Sequence, residues 1–211
     1  MDFVKTRVMF PWEDLGKVLR LSKTKESIYA RECDFVKVEP RKAKEFIEAN
    51  HIQGWARCSV MLGLCHNGEL VSIMTFGKPR YSKKADWELI RYCSIKKVVG
   101  GAERLLAHFI DEYKPKAIVS YCDKSKFDGR TYESLGFRLI RNNQPSKHWY
   151  KYETGEHYTD SLIRSHGFSR IIHHCEASED NLDTNDNRQL MLDEGFVEVY
   201  DLGQATYLLE L

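Results

Sequence analysis

The run Lys97-Val98-Val99-Gly100-Gly101-Ala102 sets three small residues directly before the amphipathic stretch "ERLLAHFIDEY". A helix starting here leaves its first backbone N–H groups unsatisfied and carries partial positive charge. Small residues at that turn let an anion reach those donors. Lys96 and Lys97 add charge beside them. The chemistry on offer is capture of a phosphate or pyrophosphate. The spacing is neither GxGxxG nor GxxxxGK[ST], so neither a dinucleotide fingerprint nor a P-loop is present. A Gly-rich strand-to-helix turn without a ligand stands as the alternative.

Other residues suit acid–base or binding roles. Glu88 and Arg91 lie in the strand-like run "DWELIRYCSI". Glu88 is a candidate general base acting through water. Strict alternation groups Glu88 with Ile90 and Tyr92, and Arg91 with Leu89 and Cys93, on opposite faces. A polar group on each face implies either a cleft or a salt bridge to a neighbouring strand. His51 and Gln53, in "NHIQG", are candidates for substrate contact or helix capping. Asp123 ends the buried run "IVSYC", where ligands of α/β sheets gather, or serves as a turn residue. Lys78, Arg80, Lys83 and Lys84 surround Tyr81. A basic loop with an aromatic fits nucleic acid, and equally a solvated hairpin tip.

These residues need a frame. "CDFVKVEP" predicts a strand, and "PRKAKEFIEANH" a helix with Ala43, Phe46 and Ile47 on one face. Two apolar runs around Asn67-Gly68 predict a β-hairpin. "DWELIRYCSI" follows as a strand, then the glycines and a helix with Leu105, Leu106, Phe109 and Ile110 as its stripe. "KAIVSYCD" is a buried strand, "GRTYESLGF" a short helix, and "FRLIR" with "KHWYKY" a second hairpin. This order predicts an α/β fold: a mixed central sheet flanked by helices, with a small α+β C-terminal extension. The expected boundaries are an N-terminal arm over 1–32, a main domain over 33–153 and an extension over 154–211. The ending "LMLDEGFVEVYDLGQATYLLEL" echoes "TYESLGFRLIRNNQPSKHWYKY" as helix, Gly-Phe, hairpin.

Over 211 residues, 42% hydrophobic and 30% charged, a real core is available. A net charge of +1 argues against a global basic field. No apolar block suits a membrane span or signal peptide, which predicts a cytoplasmic protein. Six scattered cysteines without CxxC read as reduced packing residues. His173-His174-Cys175 lacks a second ligand pair, so no metal is expected.

In its strand–turn–helix setting, Lys97-x-x-Gly100-x-Ala102 resembles the [Q/R]-x-x-G-x-[G/A] signature of GCN5-related N-acetyltransferases (GNATs). Lys97 stands where the family carries Gln or Arg. Tyr132-Glu133-Ser134-Leu135-Gly136-Phe137 resembles the family's Y-x-x-x-G-F. The resemblance covers about residues 33–153. It implies acetyl-CoA or another acyl-CoA as cofactor, with the pyrophosphate on Gly100 and Gly101. It implies that backbone groups of Cys93, Ser94 and Ile95 pair with the pantetheine arm, and that Tyr132 protonates the departing thiolate. It places His51 and Gln53 near the acceptor pocket. "ANHIQG", "ELVSIMTFGKPR", "WELIRYCS", "VVGGAERLL" and "SYCDKSKFDGRTYESLGF" also resemble the domain attached to phage Hef-like homing endonucleases, with a distant similarity to Mom-type DNA modification proteins. That resemblance implies a phage protein acting in the host cytoplasm, with DNA as a partner. Three readings stay open: an acyl-CoA-dependent N-acyltransferase with a nucleobase amine as acceptor, a non-enzymatic DNA-binding module derived from a homing endonuclease, and an acetyltransferase acting on a host protein or small molecule.

Overall fold

The computed structural model describes residues 27–166 and 184–211. In chain order come β1 (Ser27–Tyr29), a 3₁₀ turn (Ala30–Glu32), β2 (Asp34–Lys37), α1 (Pro40–Asn50), β3 (Val60–His66), β4 (Glu69–Gly77), β5 (Trp87–Ser94) and β6 (Lys97–Val99). Then follow α2 (Gly101–Tyr113), β7 (Ala117–Asp123), α3 (Arg130–Ser134), β8 (Arg138–Asn142), β9 (Lys147–Tyr150) and β10 (His157–Thr159). The chain closes with α4 (Asp160–His166), α5 (Thr184–Asp193), β11 (Val197–Tyr200) and β12 (Gln204–Glu210). The amphipathic stretch "WEDLGKVLRL", the acidic loop up to Asp183, and His173-His174-Cys175 lie outside the described residues.

Two compact units emerge. The larger holds residues 27–122, 128–142 and 205–211 of the described chain. Its seven-stranded sheet has the order β2-β3-β4-β5-β7-β12-β8. Antiparallel pairing joins β2 through β5, and β5 meets β7 in parallel, so the sheet is mixed as expected. Asn67 and Gly68 both take left-handed φ angles, 52° and 79°, which closes the β3–β4 hairpin tightly. Alternation then sorts the sheet's two faces. Leu62, Leu64, Met74, Phe76 and Leu89 pack on Leu105, Leu106 and Phe109 of α2. The rings of Phe76 and Phe109 stack with centroids 3.6 Å apart. Burying one such ring contributes about 1.5–3 kcal/mol. Ile73 and Cys93 face the other way, onto Ala43 and Ile47 of α1.

The smaller unit covers residues 123–127 and 143–204 of the described chain, with a sheet in the order β10-β9-β11. The expected boundary at 153/154 therefore differs from the observed one. Residues 143–153 belong to the smaller unit, and residues 205–211 supply a strand to the large sheet. The expected arm also changes: residues 27–29 form β1, which pairs in parallel with β6.

The sequence echo has a structural counterpart. After α3, Phe137 N–H donates to Tyr132 O and Gly136 N–H to Glu133 O, both at 3.0 Å. After α5, Phe196 N–H donates to Met191 O at 2.9 Å and Gly195 N–H to Leu192 O at 3.0 Å. Both glycines are left-handed, so both helices end in the same Schellman closure. The expected β8–β9 hairpin does not form. Instead β8 pairs with β12 and β9 with β11, so the two repeats exchange their second strands. The loops that permit this are tied together. Asp201 accepts the Ser146 and Gly203 amides at 2.7 Å, and Asn143 N–H donates to Gln204 O. Gly203 is required there, since a Cβ would stand 2.3 Å from Asn143 O.

Candidate functional site

The site begins with a β-bulge. Thr75 pairs with Arg91 and Phe76 with Leu89, so one step on β4 spans two on β5. The bulge corrects the strict alternation expected from sequence. Glu88 opposes Gly77 and Arg91 opposes Thr75, and those β4 residues are two apart. Glu88 and Arg91 therefore share a face.

The two parallel strands β5 and β7 pair only at Trp87↔Ile118 and Glu88↔Val119. Beyond these pairs the ladder stops, and a fork opens toward the C-terminal ends of both strands, the end where α/β sheets bind ligands. At its base, the Ser120 hydroxyl on β7 donates to the Leu89 carbonyl on β5 at 2.8 Å. The Tyr132 phenol, from α3, lies near Ser120. Burial pushes the Tyr132 phenol above its ordinary value, with Ser120 opposing. It thus keeps its proton at neutral pH. Tyr207 stacks on Tyr132 with centroids 5.0 Å apart, and Phe137 meets it edge-on.

Gly129 makes that stack possible. Its φ is +84°, and a Cβ would stand 2.1 Å from the Tyr207 hydroxyl. Gly129→Ala is expected to lower stability by about 1–3 kcal/mol. A denaturant melt checks this, and an unshifted midpoint would show that Tyr207 moves freely.

Ile95 N–H donates to Val71 O, which points that backbone group toward β4. Alternation turns Cys93 the same way and leaves Tyr92 and Ser94 facing the fork. Of the three backbone positions expected to line it, only Ser94 does, and Tyr92 joins it. The Cys93 side chain is core.

Gly100 is the N-cap of α2, left-handed at φ 75°, with no side chain capping the helix. Arg104 N–H donates to Gly100 O, so the amides of Gly101, Ala102 and Glu103 precede the helix ladder. Gly101 has a second role. A Cβ there would stand 2.9 Å from Val98 Cγ1 and 3.3 Å from Tyr92 Oη. Val98 is buried with Ile28 and Ala102, while Lys97 and Val99 are exposed. Lys96 pairs with Glu69 at 3.5 Å, and the exposed Lys97 has no ion pair among the described residues.

The remaining candidates divide. His51 caps α1, and its Nδ1 accepts the Gln53 amide at 3.1 Å. Gly54, ending the same turn, offers its carbonyl to Arg91 Nε at 3.0 Å, so "HIQG" is fastened to β5. Glu88 is fully buried, and its oxygens accept the Arg80 amide, Nε and Nη2 at 2.9, 3.0 and 2.6 Å. This corrects two expectations. Glu88 anchors a loop, with its carboxylate committed to Arg80, and Arg80 reaches down to it while about half of its own side chain stays exposed. Lys78, Lys83 and Lys84 remain exposed, with Tyr81 80% exposed among them. Asp123 belongs to the smaller unit, where it accepts the Ser125 amide and pairs with Lys126 at 3.2 Å.

Sequence reasoning missed Ser120, which no motif marks. It also missed a cavity of about 860 Å³ in the smaller unit, lined by Lys147, His148, Asp160 and Asp201 among others. There His148 bridges His157 and Asp201, at 2.9 and 3.1 Å. These residues are scattered along the chain, and no spacing rule connects them.

No family model and no curated protein matches the chain. Solved structures similar to it include a Bacillus subtilis acetyltransferase in complex with CoA, 11% identical, with a TM-score of 0.46 over 85% of this chain and 99% of that one. Another is yncA from Salmonella typhimurium with its cofactor acetyl-CoA, 12% identical, with a TM-score of 0.47 over 85% of this chain and 94% of that one. A third is a GNAT family acetyltransferase from Elizabethkingia anophelis with acetyl-CoA bound, 11% identical, with a TM-score of 0.44 over 85% and 99%. All three scores lie below 0.5, so any functional reading must stand on this chain's own geometry.

Proposed function

We propose that the chain is an acyl-CoA-dependent N-acyltransferase. The observation that carries this reading is the fork between β5 and β7, with the protonated Tyr132 phenol beside Ser120 at its base. The groups needed for an acyl-CoA fit in type. The first-turn amides at Gly101–Glu103 suit a pyrophosphate, and the fork-facing backbone of Tyr92 and Ser94 suits an extended amide arm. Bound acyl-CoA supplies an activated thioester. Tyr132 Oη holds the proton that a leaving thiolate requires. The test is release of free thiol from acetyl-CoA when a panel of amines is added. No release with any amine would defeat the reading.

A nucleobase amine in phage DNA is the acceptor we favour, on one specific observation. Lys78, Lys83 and Lys84 are exposed around the ring of Tyr81, which stays exposed although it meets Tyr121 edge-on. Such a loop suits phosphates and stacking, and a duplex base would have to be flipped out to react. Replacing the three lysines by Gln is expected to flatten the slope of log affinity against log salt by about 2–3, since each phosphate contact contributes roughly 0.9. Arg80 is left intact because it holds Glu88. Binding of DNA without any acyl transfer would favour the non-enzymatic module. Acylated host protein or small amines, with DNA unmodified, would favour the host-directed enzyme.

A further inference from the structure

Arg91 sits on β5 at the bulge, half-buried, and its side chain donates to two backbone carbonyls. Nε donates to Gly54 O at 3.0 Å and Nη1 to Ile90 O at 2.9 Å. Among the described residues, Nη2 has no partner and no carboxylate forms an ion pair with Arg91. The carboxylate sharing its face, Glu88, is committed to Arg80. Burial lowers the Arg91 pKa, and the Arg80 charge pushes it the same way, against smaller opposing effects of Tyr132 and Glu88. A guanidinium stays charged regardless. Arg91 is therefore a partly desolvated cation with no ion-pair partner among the described residues.

Its position gives that charge a use. Arg91 lies on β5, the strand that forms one side of the fork, past the Trp87 and Glu88 pairs where the ladder to β7 stops. The turn 51–54, expected near an acceptor pocket, is fastened to it. A guanidinium with Nη2 and the second Nη1 hydrogen uncommitted presents a planar fork, which matches carboxylate or phosphate oxygens.

We propose that the acceptor amine carries an oxyanion, and that Arg91 receives it through Nη2 and the remaining Nη1 hydrogen. This rests on the acyltransferase reading for the reaction, but not for the binding. Removing Arg91's fork is expected to weaken use of an anionic acceptor by roughly 10–10²-fold, the range of a charge-assisted contact. A purely structural Arg91 would pin the 51–54 turn and affect all acceptors alike.

The test uses matched pairs: amino acids against their carboxamides, and phosphoethanolamine against ethanolamine. With acetyl-CoA, kcat/KM should favour the anionic member of at least one pair. Arg91→Gln should remove that preference with CoA affinity unchanged, and Arg91→Lys should restore part of it. A phosphate-only response fits a nucleotide acceptor, and a carboxylate-only response identifies an amino-acid-like acceptor in place of the nucleobase. Equal use of both members in both pairs would overturn the inference. If CoA gives no binding heat, the acyltransferase reading fails separately. The same pairs are then compared by thermal shift on the protein alone. Stabilisation by oxyanion members that Arg91→Gln abolishes supports the inference, and no Arg91-dependent stabilisation overturns it.

Discussion

Tyr132→Phe is expected to lower turnover by roughly 10²–10⁴-fold, the range of general-acid help. CoA affinity should barely change. The phenol matters only as the thiolate departs, so its loss falls on the transition state and not on the bound ground state. Phe keeps the stack on Tyr207 and the edge contact with Phe137, so the fold around α3 is preserved. Burial holds the phenol above its ordinary value of 10.0, so the proton is present throughout the neutral range. Activity limited by Tyr132 should therefore be lost only as pH rises above about 10. Single-turnover thiol release is the measurement. A Phe variant with unchanged rate would remove Tyr132 from the chemistry.

Gly100→Asp should weaken CoA binding by about 10²-fold. The position is exposed, left-handed at φ 75°, and a Cβ there would stand 3.8 Å from the nearest atom, Ala30 Cβ. Aspartate tolerates this conformation, so the turn should survive. Its carboxylate would compete for the α2 amides and repel a pyrophosphate. At 4 Å such repulsion is about 4 kcal/mol at an effective dielectric of 20, and exposure and salt reduce it to about 2–3 kcal/mol. Gly100→Asn separates charge from shape and should retain most affinity. Gly101 is the poorer target, because any side chain there strikes Val98. Equal losses with Asp and Asn would show that the turn's shape, and not its charge, governs binding.

The main frame was legible because each signal was local. Asn67-Gly68 fixed one hairpin, and the Leu105–Phe109 stripe fixed the face of α2. Gly100 and Tyr132 were readable through spacing within one turn or one motif. What stayed hidden depends on partners distant in sequence. The β5 bulge moves Arg91 to the face of Glu88, and nothing in "WELIRYCS" announces an extra residue in the ladder. Arg80 is held by the buried Glu88 carboxylate, which composition alone cannot rank against a solvated loop. The strand exchange was illegible for a different reason. β9 and β12 each follow an α-helix, a left-handed glycine and a strand, so alternation accepts either partner. The Asp201 and Gly203 contacts tie the crossover loops, and Tyr207 of β12 packs beside Tyr132, and neither is visible in the spacing.

The claim that this fork binds an acyl-CoA is tested most directly by titrating the unmodified protein with CoA in a calorimeter. The expected result is saturable binding at one site per chain, weakened in Gly100→Asp and kept in Tyr132→Phe. Absence of binding heat across temperatures, from a protein that melts cooperatively, would contradict it.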